Sequence, residues 1–330
     1  MVYDIDVNKI AKCKEGKMPI FEPLLEETMA KVHKKNLNFT TDIGEALTNA
    51  SVVFLSLPTP TKTWGENAGK AYDLSYTEKG ITSIIEFYNQ NPDKMSDNVV
   101  IVEKSTVPIG TATMLTRIIN AVSIPENAKK YVVTSNPEFL AEGCAINDLM
   151  KPDRIILGVK EGQDFSKLKK LYDYTKDRII LTNQSSSELS KLVANCFLAQ
   201  RVSSINSIAI LCEEYEADVK EVKKCIAADT RIGDKFLNSS VGFGGSCFQK
   251  DILALIYLAE AKGLTDVANY WMAVIEMNDH RKKKFFQRVF TQLNSNLKGK
   301  KLAIFGTAFK KDTCDARESP AIMICRDFLI

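Results

Sequence analysis

Histidine is nearly absent: the 330 residues hold two, His33 and His280. Neither sits among other potential ligands, which sets aside H-E-x-x-H zinc sites, serine-protease triads and histidine proton relays, and no metal is expected. The eight cysteines form no C-x-x-C pair, against zinc ribbons and thioredoxin chemistry. Eight thiols in a chain this long read as reduced and cytoplasmic rather than as a disulfide framework. No apolar run approaches the ~18 residues of a membrane span. The start MVYDIDVNKI has no secretory core, so no membrane partner is expected. Charge of one sign is missing too: Lys+Arg 44 against Asp+Glu 41 leaves +3, too balanced for nucleic acid. The basic run Arg281-Lys282-Lys283-Lys284 lacks interleaved aromatics and reads as a solvated helix face. Catalysis is left to Cys, Lys, Asp, Glu or a bound cofactor.

What is present is a change of texture near residue 185. Before it, short β-rich runs at 2–4, 51–57, 99–103, 131–135, 154–158 and 179–181 alternate with helical spacing at 23–33, 75–89 and 110–122. That alternation predicts a parallel α/β sheet, and apolar runs such as VVFLS and VVIVE suit strands buried on both faces. After it, residues 185–295 read as all-helical. Ser185 and Glu188 form an S-x-x-E capping box, followed by helices over 219–228, 247–262 (stopped by Gly263) and 267–278 running on through 281–290. KKLAIFG at 300–306 predicts a strand opening a second α/β domain. The expected segments are 1–184, 185–295 and 296–330.

One punctuation mark is missing. A doubly wound nucleotide-binding sheet opens with a strand, a G-x-G-x-x-G turn and a helix, then a second strand ending in an acid. This chain begins at what reads as the second strand, with Asp4 or Asp6 as the acid, and contains no G-x-G-x-x-G. The expected architecture is a Rossmann-like sheet lacking its first βα unit, a helical region, and the start of a second Rossmann-like domain.

Three constellations carry chemistry. Gly242-Phe243-Gly244-Gly245-Ser246-Cys247 places a thiol where a glycine-rich loop meets a helix N-terminus, whose dipole and free N–H groups favour a thiolate. Lys250 and Asp251 share its face. The alternative is a buried structural cysteine. Lys191 and Asn195, one turn apart beside an apolar stripe, suit proton transfer or oxyanion stabilisation; the alternative is a solvated polar face. Asn136-Pro137-Glu138-Phe139-Leu140-Ala141-Glu142-Gly143 follows a strand at the sheet's carboxyl edge, where open α/β sheets bind ligands. Its two glutamates supply a general base or merely favourable acids in a helix's first turn. Glu103-Lys104-Ser105-Thr106-Val107-Pro108 offers a hydroxyl to the same edge.

Together NPEFLAEG, SELSKLVANCFLAQRVSSINSI, DTRIGDKFLNSSVGFGGSCFQKD and FGTAFKKDTCDARES resemble the UDP-glucose/GDP-mannose dehydrogenase family, the NAD-dependent nucleotide-sugar 6-dehydrogenases. The likeness runs from Asp4 to about Ser319. It implies NAD as cofactor, UDP-glucose as substrate, and four-electron oxidation at C6 to UDP-glucuronate, a precursor of glycosaminoglycans and other polysaccharides. It also implies a homo-oligomer, dimer or hexamer, joined through the central helices.

By position, the resemblance makes Cys247 the nucleophile that adds to the C6 aldehyde, giving a thiohemiacetal and then a thioester. Lys191 would assist the oxyanion, Asn195 and Asp251 would polarise the site, Glu138 would serve thioester hydrolysis, and Thr106 would hold the water. Substrate contacts would come from Glu138, Phe139, Leu140, Ala141, Glu142, Lys191, Asn195, the loop Asn238, Ser239, Ser240, Val241, Gly242, Phe243 and Gly244, then Phe309, Lys310 and, across a subunit interface, Arg231. Cofactor contacts would come from Asp4, Lys9 (where the animal enzymes have arginine), Leu57, Pro58, Thr59, Pro60, Thr61, Ser105, Thr106, Val107, Glu142, Cys247, Lys250 and Arg317.

The chain departs from the family in several places. Pro58 stands for an asparagine and Asn238 for a lysine, the dinucleotide fingerprint is absent, and so is most of the later domain with its substrate-clamping arginine. Without a central first strand, a gap is expected between the family's second and fourth strands, exposing ladder groups and apolar surface, where each polar group left buried and unsatisfied costs ~1–3 kcal/mol. On that reading the chain alone binds NAD poorly, and the rival to a working enzyme is a catalytically impaired fragment or isoform acting as a subunit partner.

Overall fold

The computed structural model describes residues 1–329; Ile330, the end of the third expected segment, lies outside them. The chain divides into two compact units, Met1–Pro60 with Tyr72–Lys191, and Thr61–Ala71 with Leu192–Ile330.

In the first unit the elements run β1 (Val2–Tyr3), α1 (Val7–Lys14), α2 (Leu25–Val32), β2 (Phe39–Thr40), α3 (Ile43–Leu47), β3 (Val52–Leu55), α4 (Ser75–Gln90), β4 (Val99–Glu103), α5 (Thr111–Val122), α6 (Pro125–Ala128), β5 (Tyr131–Ser135), α7 (Ala145–Met150), β6 (Ile155–Gly158), α8 (Ser166–Lys170) and β7 (Ile179–Thr182). A five-stranded sheet has the order β3-β4-β5-β6-β7. Strand β4 shows why its sequence does not alternate. Val99 and Ile101 enter one core with Ile81, Ile85, Leu115 and Ile119, while Val100 and Val102 enter another with Leu157, Leu168 and Tyr172. Both faces are covered, so Val99–Val102 are all apolar, each such side chain adding roughly 1.5–3 kcal/mol by burial, and the strand ends on the buried Glu103.

Strands β1 and β2 form their own parallel pair, and no ladder joins them to β3. The break falls where the sequence predicts it, and Val2, Tyr3 and Phe54 beside it are exposed. Strand β2 was not expected: Phe39–Thr40 is too short to carry a period. Pairing of β6 with β5 is antiparallel, through Ser135 and Gly158, while β6–β7 and the other ladders are parallel. The expected all-parallel sheet is therefore mixed.

Helix α9 (Gln184–Glu214) corrects the capping box. Asn183 caps it, its Oδ1 accepting the Ser186 N–H at 2.8 Å, and Ser185 lies inside the first turn. Glu188 instead accepts the Gly110 and Ala112 N–H groups at 2.6 and 2.7 Å, so this acid caps α5 rather than its own helix. Tertiary contact took the side chain from a local bond of similar strength.

The second unit holds the rest of α9, then α10 (Val219–Ala227), α11 (Phe248–Glu260), α12 (Thr265–Gln292) and α13 (Pro320–Leu329). Its core interleaves Cys196 and Ala199 of α9, Ile252 and Ile256 of α11, and Trp271, Val274 and Ile275 of α12. Gly263, at φ +70°, donates to the Glu260 carbonyl and ends α11 as expected. The strand expected at 300–306 is not formed. Those residues are irregular coil with Phe305 98% exposed, and the described residues after them form a loop and α13 and offer no strand to pair with. No described helix is long and apolar enough to cross a membrane.

Candidate active site

Asp4 ends β1 with its Oδ1 on the Asp6 N–H and its Oδ2 on Lys9. Burial opposes the charge, but Lys9 and the backbone donors outweigh it and hold this carboxyl below its ordinary value. The two expected cofactor contacts are thus one ion pair. Beyond β3 and β4 the loops are tied together: Ser105 Oγ donates to the Leu57 carbonyl at 2.7 Å and Thr59 Oγ1 to the Thr106 carbonyl at 2.9 Å. Val107 is buried behind them. Pro58 and Pro60 are exposed; Thr61 belongs to the second unit.

Segment 136–144 is a loop, and α7 begins only at Ala145, so its glutamates are not first-turn acids. Glu138 folds back on the loop, accepting the Leu140 N–H at 2.6 Å, and its other oxygen lies 3.4 Å from Lys191 Nζ. Lys191 is 5% exposed, which overturns the solvated-face alternative. Its ammonium lies over the Phe139 ring, which Arg154 covers more closely at 4.0 Å. Glu22 accepts the Gly143 and Ala145 N–H groups at 2.8 Å each and fixes the end of the loop beyond Ala141 and Glu142.

Lys104 and Asn136 fall within candidate segments of the sequence, but nothing in it joins them to each other or to Tyr172 beneath this loop. Lys104 Nζ donates to Asn136 Oδ1 at 3.2 Å, Tyr172 donates to the same oxygen, and Asn136 Nδ2 donates to the Ile156 carbonyl at 2.9 Å. They line a cavity of about 150 Å³ with Glu138, Phe139 and Arg154 at the sheet's carboxyl edge. Burial pulls the Lys104 ammonium down to about 8, against the attraction of Glu138 and with the repulsion of Lys191. Only the fold brings these groups together, from β4, β5 and the segment before β7.

In the second unit Cys247 is the N-cap residue of α11, exposed, with its Sγ 3.6 Å from Ser246 Oγ. The buried alternative applies instead to Cys196, whose thiol burial and then Asp251 push upward. Asp251 is fully buried, accepts from Asn195 Nδ2 at 2.6 Å and pairs with Lys250 at 2.8 Å.

The glycines before Cys247 answer to protein packing. A Cβ on Gly244 would stand 2.3 Å from the Glu318 carbonyl oxygen, and one on Gly245 3.0 Å from the Phe309 ring. Gly245 N–H donates to the Arg317 carbonyl at 2.9 Å, so the loop and segment 309–318 hold each other. Arg317 is paired with Asp315, Lys310 lies over the Phe309 ring, and Arg231 is exposed on Asp229. Asn238, Ser239 and Val241 complete the loop; Asn238 Oδ1 accepts from Lys223 Nζ at 2.6 Å.

For NAD, the acid at the end of β1 and the tied loops after β3 and β4 fit a ribose and a nicotinamide edge. The chain has no glycine-rich turn to cradle a pyrophosphate.

A Rossmann-like α/β unit followed by a helical region with a glycine-rich loop and an exposed cysteine is the arrangement of a nucleotide-dependent dehydrogenase. The sequence pattern of the UDP-glucose/GDP-mannose dehydrogenase family, NAD binding domain, matches residues 1–176, and that of its central domain matches 185–280. The chain belongs to this family, whose cofactor is NAD. UDP-glucose 6-dehydrogenase 5 of Oryza sativa subsp. japonica is 48% identical over 335 residues, covering 100% of this chain and 68% of that protein. UDP-glucose 6-dehydrogenase 3 of Arabidopsis thaliana is 47% identical over 99% of this chain and 68% of its own length. Among solved structures, a UDP-glucose dehydrogenase from the hyperthermophilic archaeon Pyrobaculum islandicum superposes with a TM-score of 0.87 at 30% identity, covering 99% of this chain and 73% of that one.

Proposed function

We propose that the chain oxidises UDP-glucose at C6 to UDP-glucuronate, with Cys247 as the covalent nucleophile. The observation that carries this reading is an exposed thiol at the head of α11, after a loop whose glycines are each demanded by a neighbour. Two NAD, bound in turn, would each accept one of the two hydrides that the four-electron oxidation removes from C6. An aldehyde has no second hydride to give until a nucleophile adds. Cys247 Sγ bonds to the aldehyde carbon, making a thiohemiacetal; loss of hydride leaves a thioester; water then cleaves the C–S bond, freeing the carboxylate and the thiol. Lys191 steadies the oxyanion at each stage, and Glu138, joined to Lys191 and to the loop, takes the proton from water held by Thr106. Asn195 and Asp251 orient the head of α11. Phe139–Glu142, 238–244, Phe309, Lys310 and a partner's Arg231 bind the nucleotide sugar, and Asp4, Lys9, 57–61, 105–107, Lys250 and Arg317 the cofactor.

The segments 1–184, 185–295 and 296–330 serve as cofactor domain, helical dimerisation region and the start of a UDP-binding domain, in a cytoplasmic homo-oligomer. The test is Cys247→Ser: NADH and acid formation should both cease or stop at the first two electrons, and unchanged acid production would refute the assignment. Turnover of UDP-N-acetylmannosamine or GDP-mannose in preference to UDP-glucose would redirect the substrate.

The alternative kept beside this reading is a subunit partner without activity of its own. Co-purification with a complete relative, with no NADH formed by this chain alone, would support it over the first.

A further inference from the structure

The loop before Cys247 is fastened by both long helices of its unit. From α9, Asn206 Oδ1 accepts the Ser240 N–H at 2.8 Å. From α12, Arg281 Nε donates to the Ser240 carbonyl at 3.0 Å. The tightest grip lies at Phe243, where Asn278 Oδ1 accepts the backbone N–H at 2.7 Å and Asn278 Nδ2 donates to the backbone carbonyl at 3.2 Å. One side chain thus serves both backbone groups of one residue, as a neighbouring strand would. Asn278 is 1% exposed, so these bonds form where water does not compete. Gly242, at φ +120°, rests on the same side chain: a Cβ there would stand 2.8 Å from Asn278 Oδ1 and 3.2 Å from Lys282 Cγ.

The chemistry narrows the choice at 278. A carboxamide carries a donor and an acceptor on one plane; an ionised aspartate lacks the donor and a leucine of similar size lacks both. Helix α12 does not need this amide for its own packing, which Trp271, Val274 and Ile275 supply.

We infer that Asn278 is the positioning residue of the substrate loop, setting the backbone path of Gly242–Phe243–Gly244 and through it the fit of the nucleotide sugar. This rests on the reading of 238–244 as substrate-binding. Asn278 acts through the loop and touches no reacting atom.

Ser203 provides the control. Its buried hydroxyl donates to the Val274 carbonyl at 2.8 Å, joining the same two helices away from the loop. The full chain is compared with Asn278→Ala, Asn278→Asp and Ser203→Ala in two measurements: amide hydrogen exchange at Phe243 without ligand, and KM and kcat for UDP-glucose. Asn278→Ala should speed Phe243 exchange and raise KM about tenfold, as expected for losing one or two net hydrogen bonds, with a smaller change in kcat. Asn278→Asp keeps the acceptor and should fall between. Ser203→Ala should lower the melting temperature yet leave Phe243 exchange and KM as they were. Unchanged Phe243 exchange in Asn278→Ala, or an equal rise in KM in Ser203→Ala, would overturn the inference. Wild-type protein that protects Phe243 but does not turn over UDP-glucose would sink the functional reading and leave the clamp standing.

Discussion

Asn195 donates its side-chain amide to Asp251 across 2.6 Å, tying α9 to the first turn of α11. Both side chains are buried, and the bond fixes the helix that begins at Cys247. Asn195→Ala leaves a buried carboxylate short of a donor and should lower stability by about 1–3 kcal/mol. Urea denaturation checks the loss, and it should appear alongside a fall in activity.

The two thiols near this bond should behave oppositely. Cys247 is exposed, whereas Cys196 is 0% exposed with its ionisation suppressed by burial and then Asp251. Iodoacetamide at mildly alkaline pH should alkylate Cys247 and spare Cys196 until the protein is unfolded. Peptide mass spectrometry reads both sites, and early labelling of Cys196 would contradict the packing described.

Gly244→Ala should be far worse than Gly69→Ala. The first puts a methyl 2.3 Å from the Glu318 carbonyl oxygen; the second, at φ +82°, meets nothing within 4 Å. Gly69→Ala should cost only the left-handed strain of roughly 1–2 kcal/mol. Gly244→Ala must displace backbone and should disable the loop, as melting temperatures and substrate binding would show.

Glu103 gives a pH dependence. No donor reaches its oxygens, and burial, then the charge of Glu188, hold it well above the ordinary value of 4.5. Above 4.5 the unfolded chain releases this proton and the folded chain keeps it, so stability falls as pH rises through the window. Glu103→Gln, whose amide can donate as the neutral acid does, should flatten that fall. Denaturation at pH 5 and pH 8 tests it: a slope equal to the parent's would refute the assignment.

Lys104 runs the other way. Its folded value of about 8 lies below the ordinary 10.5, so between them the unfolded chain holds more protons and the fold gains stability with rising pH. Lys104→Met should therefore stabilise the protein at neutral pH and remove this gain. An amine titration centred near 10.5 would contradict the burial.

Much of this was legible in the residues. Strands β4 and β5 announce themselves because Val99–Val102 and Tyr131–Val133 are covered on both faces and are apolar throughout, with polar residues only at the strand ends. Cys247 stood out because three glycines before a helix are a costly choice, although the sequence could not say that Asn278, the Glu318 backbone and Phe309 impose them. Glu188 misled: S-x-x-E is a valid local cap, but α5 offered two free N–H groups to the same carboxylate. Lys104, Asn136 and Tyr172 carried no spacing at all, since they meet only when β4, β5 and the segment before β7 converge.

The sequence by itself determined the family, the alternating α/β half, the helical half and the cysteine where a glycine-rich loop meets a helix, because period, glycine placement and motif order are local properties of the chain. Tertiary structure alone decided which polar groups are buried and with whom: Lys191 on Glu138, Asn195 on Asp251, Asn278 on Phe243. Partners 35 to 56 residues apart leave no periodic trace. A buried polar group must find its hydrogen bond wherever the folded chain supplies one.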